Sequence, residues 1–511
     1  MSERREAGIP PGNERGPSGR APPAPSAEGG RVVATFARAL DSAASAHPDK
    51  VAVVAGGRRL TYRELEAAVE RVAGAIAGAG IGPGDVVSSR LANGIEAVVV
   101  GFAVCRLGAV HNPVVMTHGD HELRTITEDG HSALLIDGPE HELLHQPPRR
   151  PLTNPVTNLV ADAATDPDQP RFLLHTSGST ARPKGVLHSD TTLLAECVAQ
   201  ARFHRLAGDE VFISPSSVAH VSGLVYGILL PIFLGATAVL MERWEPGEFL
   251  ALVEAERATF CGGAPTFLQG AADHRDVAHR DLSSLRVFPV GGADVPADLV
   301  RRAAQRLGVR TGRGYGSTEF PSVTSSAGPD TPDDRRATTD GRPIGANEIR
   351  IVEGAIEARG PELFGGYTDP ALDADAFTED GWFRTGDLGV IDAEGYLTVT
   401  GRCADIIIRL GENISVRELE VLIGELPAVR DVAVVAVPDP RTGERACACV
   451  IPNNSVSPPT LVELNAALTA RGVSRRKHPE ALVIVDALPA TPAGKVDKQA
   501  LRALIRENPT R

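Results

Sequence analysis

Between residues 176 and 185 the chain reads TSGSTARPKG, and seven of those ten positions are Gly, Ser, Thr or Ala. Such a stretch exposes backbone N–H groups and hydroxyls with almost no side-chain bulk, the donor set from which a polyphosphate accepts hydrogen bonds. Lys184 adds a compact point charge suited to a phosphate oxygen. The chain holds 52 Lys and Arg residues, yet only five are lysine: Lys50, Lys184, Lys477, Lys495 and Lys498. Against that arginine habit, a lysine between a proline and a glycine is a departure. The stretch is not G-x-x-x-x-G-K-[ST], because the lysine precedes the second glycine. A flexible surface loop has the same composition, so neighbouring stretches must decide.

Four of them carry matching chemistry. GRGYGSTEF (312–320) places three glycines around Tyr315, ahead of Thr318 and Glu319. A flat ring can stack on the tyrosine where the glycines remove bulk, and Glu319 is a hard oxygen ligand for a phosphate-bound Mg²⁺. FPVGGADV (288–295) ends a strand in a glycine pair, a place for close backbone approach to a flat ligand. GWFRTGDLG (381–389) sets Asp387 on a glycine-bounded turn, and Arg402 follows fifteen residues later. A carboxylate there can accept both hydroxyls of a ribose, although a turn or a surface ion pair uses the same residues. LPATPAGKVDKQALR (488–502) sets Lys495 after two prolines and a glycine, on the approach to a terminal helix.

The elements that must position these residues follow from periodicity. Phe172, Leu173 and Leu174 predict a short buried strand leading into the 176–185 stretch. Thr61-Tyr-Arg-Glu64 is a capping box opening a helix with Leu65, Val69, Val72 and Ile76 on one face. DVVSSRL reads as a strand and EAVVVGFAVCRLGAV as a buried helix, and this alternation runs to about residue 310. It predicts an α/β architecture with largely parallel sheets. The segment 329–340 reads as a polar connector, followed by a small β-rich subdomain. Near 401–411 the pattern restarts: Ser415-Val-Arg-Glu418 is a second capping box, and DVAVVAVPDPRTGERACACVIP is a hairpin-like strand pair. The last hundred residues are therefore expected to form a small α+β domain on a short hinge.

Composition narrows the function. A net charge of −13 excludes a basic nucleic-acid-binding face as the main theme. The longest apolar stretch, SGLVYGILLPIFLGATAVL, is broken by glycine, proline and serine and reads as helix, turn and strand rather than a membrane span. The first 30 residues lack an apolar core and are expected to be a disordered tail, not a signal peptide. The six cysteines show no metal spacing, and Cys447 and Cys449 share one face of a strand, as core residues do. A cytoplasmic enzyme is the default expectation.

In order, TSGSTARPKG, AHVSG, VGGA, GYGSTE, RTGDL, GRCADIII, GEN and PATPAGK resemble the motifs of the adenylate-forming superfamily over about residues 35–505. GAVHNPVV, GGADVP and GENISVRELE look most like its acyl-CoA ligases. The resemblance implies a large N-terminal domain (31–403) of layered α/β subdomains with a small β-barrel-like subdomain, and a small mobile C-terminal domain (404–511) hinged near 404. It implies ATP, Mg²⁺ and coenzyme A as cofactors, and two steps: a carboxylic acid becomes acyl-AMP with release of pyrophosphate, and the acyl group passes to CoA. Thr176, Ser177, Gly178, Ser179, Thr180 and Lys184 would then hold the phosphates, with Thr180 and Glu319 at the metal. Adenine would lie between Gly291, Gly292, Ala293 and the Tyr315–Gly316 segment. Thr318 would contact the α-phosphate, and Asp387 with Arg402 the ribose. Lys495 would bridge the attacking carboxylate and the α-phosphate. His220 would gate an acid pocket lined by Val221, Ser222, Gly223, Gly263 and Gly314, expected to be roomy and apolar.

The chain departs from the family pattern at Ala181 in the phosphate loop, Ala404 at the hinge, Leu410 beside the thiol tunnel and Val416 after a helix cap. Ala404 and Leu410 fall on parts serving the second step. They leave open an alternative in which acyl-AMP passes to a carrier protein or another acceptor enzyme instead of CoA.

Overall fold

The computed structural model describes residues 35–145, 166–176, 183–402, 406–409, 412–439, 443–453, 457–471, 473, 475–490 and 496–507. By compactness the chain divides into two units, one of Met1–Ile349 with Ala358–Phe383, the other of Arg350–Glu357 with Arg384–Arg511. The expected tail (1–30), the phosphate-loop residues Ser177, Gly178, Ser179, Thr180 and Ala181, the hinge residue Ala404, Leu410 and Lys495 lie outside the described residues.

Two large sheets organise the first unit. In one, the strands run Gly366–Tyr367, Lys184–Ser189, Pro170–Thr176, Val110–Pro113, Val86–Arg90 and Ser132–Asp137. The last four pair in parallel, as the alternating pattern predicts, and the first two join antiparallel. The other sheet has two four-stranded parts, joined where Phe260 bridges Phe212 on one side and Val287 on the other. Helices pack between and around these sheets. The helix Tyr62–Gly78 opens on the expected capping box, with Thr61 N–H donating to Glu64 at 2.8 Å and Glu64 N–H to the Thr61 hydroxyl at 3.3 Å. Its buried stripe contains Leu65, Val69, Val72 and Ile76, and Phe36, Phe102, Phe172 and Ile228 complete one core. Phe172, Leu173 and Leu174 are at most 1% exposed, so the strand before the loop is as buried as its composition implies.

An ion pair anchors that strand. Arg171 Nε donates to Asp190 Oδ2 at 3.0 Å with both side chains 1% exposed, and Asp190 Oδ1 accepts the Phe36 N–H at 2.9 Å. The segment 329–340 is not simply a connector: Asp333–Thr338 forms a short helix with Ala337 fully buried. Pro332 precedes it, acidic residues occupy its first turn and Arg336 its last, which suits the helix dipole.

The second unit holds the small α+β fold expected of the C-terminal hundred residues. Val429–Asp439 pairs antiparallel with Gly443–Pro452, and Ala481–Ile484 adds in parallel. Cys447 and Cys449 are fully buried on one face, and Ser415 caps Val416–Gly424 by accepting the Glu418 N–H at 3.2 Å. The hairpin of Phe383–Ile391 and Leu397–Arg402 belongs to the antiparallel sheet that also contains Glu348–Val352 and Ala355–Arg359.

Candidate active site

The stretch with the most chemistry begins as a hairpin. Pro170–Thr176 and Lys184–Ser189 pair antiparallel, with Thr176 directly opposite Lys184. Lys184 therefore opens the second strand of the pair, across from the threonine that closes the first. Gly185 allows the next layer: a Cβ there would meet Thr368 Oγ1 at 2.6 Å. Its absence lets Gly366–Tyr367 pair alongside the hairpin, through the Thr368 N–H to Gly185 O and Gly365 N–H to Leu187 O bonds, both 2.8 Å.

That edge strand brings in a residue the sequence reading missed. The Tyr367 hydroxyl donates to Glu319 Oε1 at 2.9 Å, and Lys184 Nζ lies 5.4 Å from the centre of its ring. Burial and the neighbouring carboxylate push the phenol above its ordinary range, so it remains a donor. The only sequence signal was a tyrosine after two glycines in a chain with five tyrosines.

Thr318 and Glu319 are presented by a tight turn. Ser317 N–H donates to Phe320 O at 2.9 Å, and a Cβ on Gly316 would sit 2.1 Å from Pro321 O, so only glycine closes this turn. His188 fixes the turn to the hairpin. Its Nε2 lies 2.7 Å from Thr318 O, which makes that nitrogen the N–H donor and leaves Nδ1 to accept from the Thr192 hydroxyl at 3.0 Å. Burial lowers its pKa to about 4, so the ring is neutral and its tautomer is set by the carbonyl. His188 was also missed, being one of fourteen histidines with no motif around it.

The glycine pair lies at the end of a strand beside Tyr315. Val287–Gly291 and Arg310–Tyr315 pair in parallel, with Gly291 opposite Gly314. A Cβ on Gly291 would meet Gly314 O at 2.5 Å, so this residue is glycine for strand packing. Gly292, at φ +78° with open space around it, and the exposed Ala293 lead away from the strand end.

The pocket residues divide. His220 precedes a short helix, Val221–Leu224, that continues into a π-helical turn, Val225–Leu229. Asn93, a third missed residue, holds the approach: its Nδ2 donates to Ser216 O at 2.7 Å and its Oδ1 accepts the Val218 N–H at 2.9 Å. The expectation that small residues here create room is corrected for two of the expected lining residues, and for neighbouring Gly262. A Cβ on Gly223 would meet Ser217 O at 2.0 Å, one on Gly262 the Tyr226 ring at 2.8 Å, and one on Gly263 the Phe267 ring at 2.9 Å. Those glycines accommodate neighbours. Gly314 alone among these four has space, its nearest atoms 3.8 Å away.

In the second unit, Asp387 and Arg402 face each other across a hairpin, and Arg402 Nε donates to Asp387 Oδ1 at 3.0 Å. Asp387 is buried while the Arg402 side chain is 63% exposed, so the pair is positioned by the carboxylate.

The donor set fits a magnesium ion that arrives on a polyphosphate. Among the described residues no cluster of three or more His, Cys, Asp or Glu exists to hold a cation unaided. Glu319 has one oxygen committed to Tyr367, and its other oxygen accepts no hydrogen bond from the described residues. One carboxylate plus substrate phosphates is a common magnesium arrangement.

The family model for AMP-binding enzymes matches residues 40–368, and that for the AMP-binding enzyme C-terminal domain matches residues 418–495. The chain is 33% identical to a medium-chain fatty-acid–CoA ligase of Escherichia coli, over 92% of this chain and 90% of that protein. It is 36% identical to a feruloyl-CoA synthase of Amycolatopsis sp., over 89% and 96%. The solved amide bond synthetase McbA of Marinactinospora thermotolerans superposes with a TM-score of 0.80 at 30% identity, covering 92% of this chain and 99% of that one. Among the described residues no helix is long and apolar enough to cross a membrane.

Proposed function

The chain belongs to the AMP-binding enzyme family, and from that premise we propose that it is an AMP-forming acyl-CoA synthetase acting in the cytoplasm on a small-molecule carboxylic acid. ATP and the acid react to give acyl-AMP and pyrophosphate, and CoA then takes the acyl group with release of AMP. The observation that carries the reading is the linked set of Thr176, Lys184, Tyr367 and Glu319, a cation and a carboxylate gathered at the paired strand ends that flank a sequence rich in Ser, Thr and Gly.

In this reading the protein's task is to hold two anions together and neutralise the charge that develops as the carboxylate attacks phosphorus. Residues 176–180 and Lys184 take the β- and γ-phosphates. Thr318, fixed through its carbonyl by His188, points its hydroxyl to the α-phosphate, and Glu319 with Thr180 holds the metal. Magnesium, when bound, supplies charge neutralisation at the polyphosphate. Gly291, Gly292, Ala293, Tyr315 and Gly316 receive adenine, and Asp387 with Arg402 the ribose. Lys495, on a C-terminal domain hinged near 404, bridges the attacking carboxylate and the α-phosphate. His220 gates the acid pocket, where Val221 and Ser222 contribute lining and Gly314 free volume.

A second reading has one observation in its favour: a relative with nearly the whole fold in common is an amide bond synthetase. In that reading the adenylate passes to a carrier protein or another enzyme instead of CoA, in keeping with Ala404 and Leu410. One reaction separates the two. The enzyme is incubated with ATP, Mg²⁺, CoA and a pool of medium-chain, alicyclic and aryl acids, and products are identified by mass spectrometry. Acyl-CoA and AMP establish the synthetase; acyl-AMP and pyrophosphate without thioester establish the second reading; neither product refutes both. Lys495→Ala is expected to abolish adenylate formation and to spare thioester formation from supplied acyl-AMP, and equal loss of both would refute its role.

A further inference from the structure

The Tyr367 side chain meets a cation over its ring face and an anion at its hydroxyl, and several contacts hold it there. Its strand is bonded to the hairpin on either side of it, at Gly365 and Thr368. Its own N–H donates to Asp373 Oδ1 at 3.0 Å. Thr368 Oγ1 donates to Asp129 Oδ2 at 3.1 Å, and the ring packs edge-to-face on Phe364 at 4.8 Å between centroids. Gly366, at φ +135°, would strike Asp373 with any Cβ. Tyr367 as a whole is 7% exposed.

We propose that Tyr367 is a positioning residue that keeps Lys184 and Glu319 from neutralising each other, so that the nucleotide site meets its ligand with both charges available. The inference rests on the reading of Lys184 as a phosphate ligand and Glu319 as the metal carboxylate. Two opposite charges on half-buried residues attract strongly at contact distance. Once paired, the lysine would offer fewer donors to a phosphate and the carboxylate less charge to a cation. No Lys184–Glu319 ion pair occurs among the described residues; each charge is instead engaged by a different part of one side chain. The hydroxyl takes a single carboxylate oxygen and leaves Oε2 for a cation. The ring face attracts the ammonium without consuming its charge or its three N–H donors. A phenylalanine supplies only the second function and an aliphatic residue neither.

The test uses the full chain and ligand binding without turnover. A non-hydrolysable ATP analogue is titrated by calorimetry with the acid omitted, at a series of Mg²⁺ concentrations and in EDTA. Tyr367→Phe keeps the ring and the packing on Phe364; it is expected to raise the Mg²⁺ concentration for half-saturation about tenfold, the worth of one hydrogen bond to a charged group. Its affinity for the metal-free analogue is expected to stay at the wild-type value. Tyr367→Leu is expected to weaken the metal-free analogue as well. If Tyr367→Phe has the wild-type Mg²⁺ requirement, or weakens binding equally with and without Mg²⁺, the proposal is overturned, the latter result being that of a packing role. Glu319→Gln and Lys184→Ala run beside it. If neither alters binding, the reading on which the proposal rests fails instead. Should the leucine variant not fold, the phenylalanine variant still decides.

Discussion

Glu196 and Glu362 meet in the interior of the first unit, 1% and 0% exposed, and among the described residues neither forms an ion pair with an arginine or lysine. Ser322 Oγ donates to Glu196 Oε1 at 2.7 Å and Gln200 Nε2 donates to the same oxygen at 3.1 Å. If both side chains were carboxylates, Glu196 Oε2 and both oxygens of Glu362 would face no donor. One proton joins the pair: burial raises both carboxyls, Glu362 well above its usual value, and the shared hydrogen bond favours the proton on Glu362, donating to Glu196. The unfolded chain releases that proton near pH 4.5, while the native state retains it to a higher pH. From about pH 4.5 upward to the raised native value, the native state binds one more proton, and stability falls with pH. The slope is about 1.4 kcal/mol per pH unit for one proton, and unfolding at pH 5.5 and at pH 7.5 compares two points above the unfolded chain's value. Glu362→Gln replaces the carboxylic acid with an amide that donates to Glu196 at every pH, so that part of the slope is expected to vanish and the variant to exceed wild type at pH 7.5. Both tryptophans, Trp244 and Trp382, belong to the unit holding the pair, so fluorescence-monitored urea unfolding reports on it. The quantity to compare is the difference between variant and wild type at the two pH values. Parallel loss of stability in both proteins would show that the pair does not hold a proton and refute the reasoning.

Two further outcomes follow from the same geometry. Gly314→Ile enters space with no atom nearer than 3.8 Å to its Cβ, so the thermal midpoint is expected to hold while turnover of bulky acids falls tenfold or more, at ~1–3 kcal/mol per methylene of lost room. An unchanged acid profile would remove Gly314 from the pocket. Arg171→Met strands Asp190, whose burial already raises its pKa despite the arginine, and is expected to cost about 3–5 kcal/mol in urea unfolding. Because a raised carboxyl loses stability as pH rises, the deficit should narrow toward acid. Adding Asp190→Asn, which still accepts the Phe36 N–H, should recover much of it, and no recovery would mean that the arginine acts through packing alone.

How far the site was legible depended on the kind of residue. Lys184 was visible because lysine is rare in this chain, and Glu319 and Asp387 because they sat among glycines, which let backbone approach closely or turn sharply. The Asp387–Arg402 pairing was suspected from spacing, and the hairpin places the two opposite each other. Tyr367, His188 and Asn93 gave no comparable signal, since each acts by reaching across sequence separations that no local pattern encodes. His188 meets Thr318 over 130 residues and Asn93 meets Val218 over 125. The pocket glycines misled for a related reason: a missing Cβ means room only if nothing else fills it, and at Gly223, Gly262 and Gly263 a carbonyl or an aromatic ring does.

By itself the sequence determined what is local or periodic: the capped helix at Tyr62–Gly78, the buried strand before the loop, the strand pair of the C-terminal unit, and the residue types available for phosphate, metal and ribose. Those properties depend on backbone sterics and on neighbours within a turn or a strand, which sequence order specifies directly. Only the tertiary structure decided which of those residues share a site. A two-residue edge strand from beyond position 365 sets one tyrosine against both a lysine and a glutamate, and two glutamates 166 residues apart are buried together. Burial then sets their protonation, because the energy of a charge depends on what surrounds it rather than on what precedes it in the chain.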